Sequence, residues 1–253
     1  APGTLAIELS ARIGSVALRD LDGRIAQRRF EPGDRRREPL LPEIDRLVRD
    51  ASMRPDQLRA IGVSTGPGGF TGLRISIAAT KGIATALRLP VVAVPSTLVM
   101  AESVLIADSG SIRGATSVLT MVASKRGSAW LHRLGLSGDD ASGWRSIGAP
   151  AAISRDELEA SPDWRDLSGT LLIADEHQDG AIVGSLRERG ARRWSDGAIT
   201  PPVTAAACLV LAERLEAAGA TVSPDDLLPT YPREPEAVTL WNLRHPEAST
   251  RSG

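Results

Sequence analysis

The chain has 253 residues, of which 42% are apolar and 24% are charged, so it can bury the core of one large or two modest globular domains. Its 30 basic and 31 acidic side chains leave a formal net charge of -1, which excludes a global field that would attract a nucleic acid. The single cysteine excludes an internal disulfide, and no apolar run is long enough to span a bilayer. Because the first residues also lack a basic and then apolar leader, we expect a soluble, cytoplasmic protein with no membrane contact.

The first half of the chain has the strand and helix pattern of an α/β fold. Alternating apolar residues predict an antiparallel meander of three strands over residues 5–9, 15–19 and 24–30. An amphipathic helix follows, which ends near Met53 and must hold Pro42 in its first turn; its apolar residues are Leu40, Leu41, Ile44, Leu47 and Val48. The remaining pattern predicts a strand at 60–64, a glycine-rich loop, a helix to about residue 89, a strand at 91–94 and a helix at 96–107.

The second predicted helix is apolar on two sides. One stripe carries Leu73, Ile77, Ala84 and Leu87, and the opposite side carries the small residues Ala78, Ala79, Gly82 and Ala86. A helix that is apolar on two sides is normally buried on two sides. We therefore expect one face to cover the chain's own sheet and the other to pack against a partner, and the pattern leaves open which stripe faces inward.

The second half loosely repeats the order of the first. Strands are predicted at 117–122, 128–134 and 170–174, and helices at 181–189 and 204–218. This order predicts a duplicated fold, with an N-terminal lobe at residues 1–110, a degenerate C-terminal lobe at 111–224 and a linker around residues 108–111. The proline-rich residues 225–253 are expected to form an extended tail over the surface.

A glycine-rich loop joins the fourth strand to the second helix. It contains Gly66, Gly68, Gly69, Thr71 and Gly72. It is not a phosphate-binding Walker loop, because Leu73 and Arg74 stand where that motif has Lys and Ser or Thr. The N–H groups of such a loop can still hold an anion or a nucleotide phosphate at a helix N-terminus. The alternative is a tight turn whose glycines supply positive φ and whose Thr71 caps the helix.

Other candidate catalytic residues are isolated in the sequence. His132, His177 and His245 are scattered, without the spacing that places two imidazoles on one helix face, so no metal site is predicted. Cys208 lies in an apolar helix, where a thiol behaves as a small hydrophobe. Glu8 ends the first strand, where it can act as a general base or hold a metal-bound water, or can cap neighbouring backbone.

Several stretches resemble the TsaB family. VSTGPGGFTGLRI at 63–75, followed by ATKGIA at 79–84, is similar to the family's GPGSFTGLRIG and the AKGLA helix that follows it. LAIELS at 5–10, VPSTL at 94–98 and PTYPR at 229–233 resemble the family's LAIDTS, VSSLEAL and PLYLR. The matches run from residue 5 to about 134 and resume at the tail. The chain departs from the family at Glu8, where Asp is usual, at RRE 36–38, where HSE is usual, and at SKR 124–126, where DAR is usual.

The resemblance implies the duplicated ribonuclease H-like lobes of the actin-like, Hsp70-like and sugar-kinase-like ATPases. It also implies a non-catalytic scaffold that binds a TsaD-like paralogue through a bundle of the first two helices of each chain. That complex would support threonylcarbamoyl transfer to adenosine 37 of tRNAs reading ANN codons, with a TsaE-like ATPase as a further partner and tRNA contacted only indirectly. No cofactor is expected in this chain, since the resemblance places ATP and metal on the partner.

The resemblance and the two-faced helix together predict a partner interface. It comprises Leu40, Leu41, Ile44, Leu47 and Val48 on the first helix and Leu73, Ile77, Ala78, Lys81 and Gly82 on the second. Two alternatives remain open. The first is an ATP-dependent phosphotransferase or metal-dependent hydrolase of the same fold, and the second is a homodimer that pairs through the same helices.

Overall fold

Two mixed β-sheets organise the chain, whose computed structural model describes residues 3–31, 39–124, 127–195 and 202–231. The first sheet has the order β3-β2-β1-β4-β5 and contains β1 (Gly3–Glu8), β2 (Gly14–Arg19), β3 (Ile25–Phe30), β4 (Leu58–Ser64) and β5 (Val91–Val94). β1, β2 and β3 are antiparallel neighbours, while β4 and β5 run parallel to β1. The predicted meander is confirmed.

The second sheet repeats this arrangement with shorter outer strands. It contains β6 (Ser117–Ser124), β7 (Ser128–Leu136), β8 (Trp144–Ser146), β9 (Ala151–Ser154), β10 (Thr170–Ala174) and β11 (Arg192–Arg193). β7 is antiparallel to β6, and β8 and β9 both pair with β7 at the position that β3 holds beside β2. β10 and β11 run parallel to β6, as β4 and β5 do to β1. The repeated order confirms the predicted duplicated α/β fold.

Three helices of the first half lie in the predicted places, namely α1 (Leu40–Asp50), α2 (Phe70–Leu87) and α3 (Ser96–Ala107). The short helix α4 (Ser109–Arg113) and a 3₁₀ turn at Pro55–Gln57 were not predicted. Pro42 lies in the first turn of α1, where its missing N–H is not needed. α2 ends because Arg88 adopts a left-handed conformation with a φ of 55°, which cannot continue the helix.

The last helix of the described residues connects the two halves. The helices of the second half are α5 (Arg155–Ala160), α6 (Gly180–Glu188) and α7 (Ala205–Ala217), with a 3₁₀ turn at Pro162–Trp164. α5 and α6 cover the second sheet, but α7 packs against β1, β2, β4 and β5 of the first. α3 in turn packs on β6 and on α7. The predicted lobe boundaries stay a prediction, since α7 belongs to the second half by sequence and to the first sheet by contact.

Side chains of the first sheet alternate between two cores, as the pleat of a strand requires. Leu5 and Ile7 of β1 point to the core that contains α1 and α2, whereas Ala6 points to the core that contains α3 and α7. On the α7 side Gly62 is required, because a Cβ there would collide with the Cβ of Ala212. The small residues of this face therefore set how closely α7 approaches.

The prediction needs correction at a connecting segment and at several short elements. Residues 108–111 are not a plain linker, because the Asp108 side chain accepts a hydrogen bond from the Ser111 N–H and caps α4. The strands β8, β9 and β11 and the helix α5 have no counterpart in the prediction, since elements of two to six residues show little periodicity. No helix in the described ranges is both long and apolar enough to cross a membrane.

His132 is a buried titratable group where α3 meets the second sheet. It lies on β7 with 5% of its surface exposed. Its Nδ1 is 2.8 Å from Oγ1 of Thr97 on α3, and its Nε2 is 2.8 Å from Oγ of Ser146 on β8. Burial lowers the pKa of His132 from 6.5 to about 4. The folded protein therefore holds this imidazole neutral at a pH where the unfolded chain is protonated.

We expect His132 to make the fold sensitive to acid. The stability that the neutral imidazole contributes is present above pH 6.5 and is lost as the pH falls towards about 4, because the unfolded chain takes up the proton first. The loss should reach about 3 kcal/mol at the lower end of this window. Urea unfolding of wild type and His132→Gln at several pH values measures it, with the exposed His177→Gln as control. Parallel pH profiles for wild type and His132→Gln would contradict the assignment.

Candidate functional site

A cleft of about 550 Å³ opens between the two sheets. Its walls come from segments that follow parallel strands of both sheets, namely residues 10–12 after β1, 67–69 after β4 and 175–177 after β10. Ligands of α/β proteins bind where the carboxyl ends of parallel strands open into such a crevice. The cleft is therefore the first place to look for a small-molecule site.

The walls of the cleft combine apolar and acidic groups. The apolar part includes Met100, Val122 and Val203, and the polar part is formed by Ser10, Arg12, Glu31, Ser96, Asp175, Glu176 and His177. Three carboxylates thus face one arginine across the opening. This balance of charge is unfavourable for a phosphate-bearing ligand.

The glycine-rich loop is fixed to the end of β1 by close backbone contacts. The Gly69 N–H donates to the Ser10 carbonyl at 2.7 Å, and the Gly66 N–H donates to Ser96 Oγ at 2.9 Å. A Cβ on Gly68 would lie within 2.6 Å of Ser10, and one on Gly72 would collide with the Leu9 carbonyl oxygen. Two of the loop's N–H groups already have protein acceptors, so they are not available to an anion.

The alternative interpretation of the loop as a capped turn is also only partly right. Among Gly66, Gly68, Gly69 and Gly72, only Gly66 has a positive φ, at 104°. The other three are needed for close approach or for the entry into α2. Thr71 does not cap the helix, because α2 begins at Phe70 with Gly69 at the cap position and no capping side chain.

Glu8 is a buried group below the cleft and is not among the residues that line it. Its Oε1 accepts hydrogen bonds from the Ser10 N–H and hydroxyl, both at 2.5 Å, while Oε2 has no hydrogen-bond partner among the described residues. Burial raises the pKa of Glu8, although the bonds from Ser10 oppose this shift. The geometry fits the backbone-capping interpretation rather than a general base in the cleft.

Cys208 lies close to Glu8 and is equally buried. Its thiol is 3.9 Å from the Ile7 carbonyl oxygen, on the side of α7 that faces the first sheet. Burial first, and the Glu8 charge second, raise the pKa of this thiol well above its usual value. A thiol that resists ionisation is a poor nucleophile, so Cys208 acts here as a packing residue.

Asp175 is the carboxylate that the sequence did not single out. It follows β10, where its Oδ2 accepts from the Ala123 N–H at 2.7 Å and its Oδ1 from the His177 N–H at 3.1 Å. Burial raises the pKa of Asp175, and the two N–H donors oppose the shift.

His177 lies beside Asp175 in the cleft wall, while His245 lies outside the described residues. Within the described ranges, no three His, Cys, Asp or Glu side chains are grouped to hold a metal ion.

The predicted partner interface separates into a buried and an exposed part. Six of its residues lie in the chain's own core, namely Leu40, Ile44, Leu47, Val48, Leu73 and Ile77. Their apolar stripes cover the first sheet, which settles which side of α2 faces inward. Leu41, Ala78 and Gly82 are exposed, and Lys81 is half-buried. These six residues pack within the chain's own core, so the intact fold leaves little of their surface for a partner.

A segment near the C-terminus lies along α2. Residues 222–231, which we call the strap, begin with an antiparallel bridge between Val222 and Val91 and then bury Leu227 against the first sheet. Lys81 Nζ donates to the Asp225 carbonyl at 3.0 Å, and Thr230 N–H donates to the Thr65 carbonyl at 2.6 Å. Residues 225–231 of the strap are the described part of the predicted tail, and the strap borders the exposed face of α2.

Aromatic rings mark the end of this contact. The rings of Phe70 and Tyr231 have centroids 5.2 Å apart, and the Arg74 guanidinium lies 3.6 Å from the centre of the Phe70 ring. Arg74 Nε also donates to the Tyr231 hydroxyl at 3.1 Å. Phe70 remains 51% exposed. The resemblance covered these positions, but it could not reveal that the tail returns to the start of α2.

We expect Glu8→Gln to stabilise the protein at neutral pH. The raised pKa means that the stability contributed by protonated Glu8 is present below its unfolded value near 4.5 and lost as the pH rises through the folded value. A neutral amide keeps the acceptor for Ser10 and removes the buried charge. Thermal unfolding at pH 5 and pH 7.5 should show a gain that grows with pH.

Glu43→Gln is the matched control for this change. Arg28 lowers the pKa of Glu43 through a 2.7 Å ion pair, so its removal should destabilise the protein at neutral pH. A lower unfolding temperature for Glu8→Gln than for wild type at pH 7.5 would show that the Ser10 donors outweigh burial.

Sequence comparisons give partial matches to one group of proteins. The family described as "TsaD: tRNA N6-adenosine threonylcarbamoyltransferase" matches residues 33–127. The tRNA threonylcarbamoyladenosine biosynthesis protein TsaB of Escherichia coli strain K12 is 30% identical over 124 residues, which are 49% of this chain and 51% of that protein. TsaB of Buchnera aphidicola is 38% identical over 66 residues, which are 26% of this chain and 30% of that protein. The chain thus matches from under a third to about half of the length of these relatives.

Structural comparison extends the likeness to nearly the whole chain. A protein with similarity to peptidase YeaZ from Pseudomonas aeruginosa has a TM-score of 0.73 at 26% identity, covering 92% of this chain and 100% of that one. YeaZ from Pseudomonas aeruginosa has a TM-score of 0.71 at 25% identity, covering 91% of this chain and 100% of that one. The glycine-rich loop and the two-sheet topology lie within the matched regions. Sequence and structure together identify the chain as TsaB/YeaZ-like.

Proposed function

We propose that the chain is a non-catalytic subunit in the biosynthesis of threonylcarbamoyladenosine in tRNA, acting in the cytoplasm. It binds a TsaD-like paralogue and thereby supports threonylcarbamoyl transfer to adenosine 37 of tRNAs reading ANN codons, with tRNA held mainly by other subunits. The TsaB name of its sequence relatives supports the pathway. The match of residues 33–127 to the TsaD family supports a paralogous partner, because related lobes can pair through equivalent helices.

The observation that carries the proposal is the exposed side of α2. Leu73 and Ile77 are buried against the first sheet, while Ala78 and Gly82 on the other side are exposed. A Cβ built on Gly82 would meet no atom within 4 Å. Small residues let a second helix approach closely, since the distance between helix axes depends on the side chains at the contact. The face is therefore suited to a helix from another chain.

Features of the cleft support the placement of ATP on the partner. Its walls present Glu31, Asp175 and Glu176 against Arg12, and the loop N–H groups of Gly66 and Gly69 already bond within the protein. Phosphate groups would meet repulsion there and few donors. The TsaE-like ATPase remains part of the proposal as a further partner of the assembled complex.

The second candidate function is an ATP-dependent phosphotransferase or metal-dependent hydrolase. The observation in its favour is the cleft itself, which has the size and position of a ligand site. ATP turnover by the isolated chain that is lost in Asp175→Asn would support it. Glu8 is unsuited to this test, because it is buried below the cleft and does not line it.

We expect Gly82→Trp to weaken binding of the TsaD-like subunit from the same genome at least about tenfold, because the bulky ring holds the partner helix away. The variant should fold, since nothing lies near this position and Trp is a better helix former than Gly. Calorimetric titration with the purified subunit measures the affinity. Gly184→Trp on α6 is the matched control, because this helical glycine also has no atom within 4 Å of a Cβ. Equal affinity for Gly82→Trp and wild type would refute the proposed face.

Substitutions at Ile44 or Ile77 cannot replace this experiment. A carboxylate at either position would lie unpaired in the chain's own core and would unfold it, so a loss of binding would have two explanations.

A further inference from the structure

We propose that the exposed face of α2 is selective for a partner helix that carries carboxylates, and that the same charges disfavour a second copy of this chain. This inference rests on the proposed function and deepens it, because it states the chemistry of the surface that the partner must present.

The starting observation is a row of cations along α2. Arg74 and Lys81 lie seven residues apart, which places them along one side of α2, and Arg88 follows the last residue of the helix at its C-terminal cap. The helix itself, Phe70–Leu87, contains no Asp or Glu. We call these three residues the basic row. It runs beside the exposed small residues Ala78 and Gly82.

The charges of the basic row are not neutralised within the described part of the chain. Arg74 donates to the Tyr231 hydroxyl and lies over the Phe70 ring, and Lys81 donates to the Asp225 carbonyl. These partners are uncharged, so they hold two of the side chains in place without removing their charge. None of the three cations takes part in an ion pair with a described carboxylate.

The first helix does not supply the missing carboxylates. The acidic residues of α1 are each already in an ion pair: Glu43 with Arg28 and Arg46, Asp45 with Arg49, and Asp50 with Arg28. A second copy of the chain would bring the same paired acids and the same basic row. The carboxylates of α1 are therefore already engaged within the chain and are not free to neutralise the basic row of a second copy.

These charges distinguish the two occupants of the face. Self-pairing through α2 would bring six cations to one contact, within the roughly 10 Å over which charges interact at moderate ionic strength. A helix with carboxylates along its edge would instead form charge-assisted hydrogen bonds with Arg74 and Lys81, which the strap already holds in position. The occupant we infer is thus a different chain with an acidic flank.

The experiment reverses the basic row. Arg74→Glu/Lys81→Glu/Arg88→Glu should bind the TsaD-like subunit at least about tenfold more weakly than wild type at low salt, since three favourable pairs become repulsive. Wild-type affinity should fall between about 50 and 500 mM salt, while that of the variant should not. Light scattering should show the wild-type chain monomeric at low salt.

Arg187→Glu/Arg192→Glu/Arg193→Glu is the matched control. It makes the same change in net charge on α6 and the edge of the second sheet, away from α2. Its affinity should stay within about twofold of wild type, because only local charges act at the contact. Circular dichroism and thermal unfolding confirm that both triple variants are folded.

The outcomes separate this inference from the proposed function. If wild type does not bind the TsaD-like subunit at all, the proposed function fails. If wild type binds and the basic-row variant binds equally well at all salt concentrations, the charges serve solubility alone and only this inference is overturned. A wild-type dimer that reversal of the basic row dissociates would also overturn it, because the occupant would then be a second copy.

Discussion

The packing of α7 on the first sheet is the contact on which the rest of the molecule depends. Gly62 lets Ala212 approach the sheet. Two ion pairs link α7 to the strands, Arg19 with Glu213 at 2.6 Å and Arg59 with Glu216 at 2.9 Å. At its start, the Ala205 N–H donates to the Ser15 hydroxyl. α3 packs on both α7 and the second sheet. Through this contact α7 fixes the two sheets relative to each other and so sets the width of the cleft.

That arrangement leaves one side of α2 uncovered by the described residues. α7 and α3 cover one side of the first sheet, while α1 and the buried stripe of α2 cover the other. The strap then borders α2 and bridges to the edge strand β5. The side of α2 that stays uncovered carries small residues, and the basic row beside it gives this face a preference among partners.

The sequence predicted the helices and strands in which apolar residues recur regularly over several turns or residues. It did not predict features that depend on contacts between segments far apart in the chain. The strands of the first sheet and α1, α2 and α7 followed from periodicity. The stripe of α2 that faces inward could not be assigned, because Leu73 and Gly82 both lie on apolar sides and only the tertiary fold distinguishes them. Asp175 was missed for the same reason, since its role comes from the Ala123 N–H on a strand 52 residues away. The duplicated fold and the family were predictable, whereas the return of the strap to α2 was not.

The strap has a consequence for how the protein is made. Strand β5 lies at the edge of the first sheet, and its bridge to Val222 is formed by a segment that the ribosome adds 128 residues after Val94. Until then the sheet also lacks α7, so one of its faces and one of its edges stay open in the nascent chain. An open edge beside an apolar face invites pairing with other chains. Newly synthesised protein should therefore need chaperone protection until α7 and the strap have emerged.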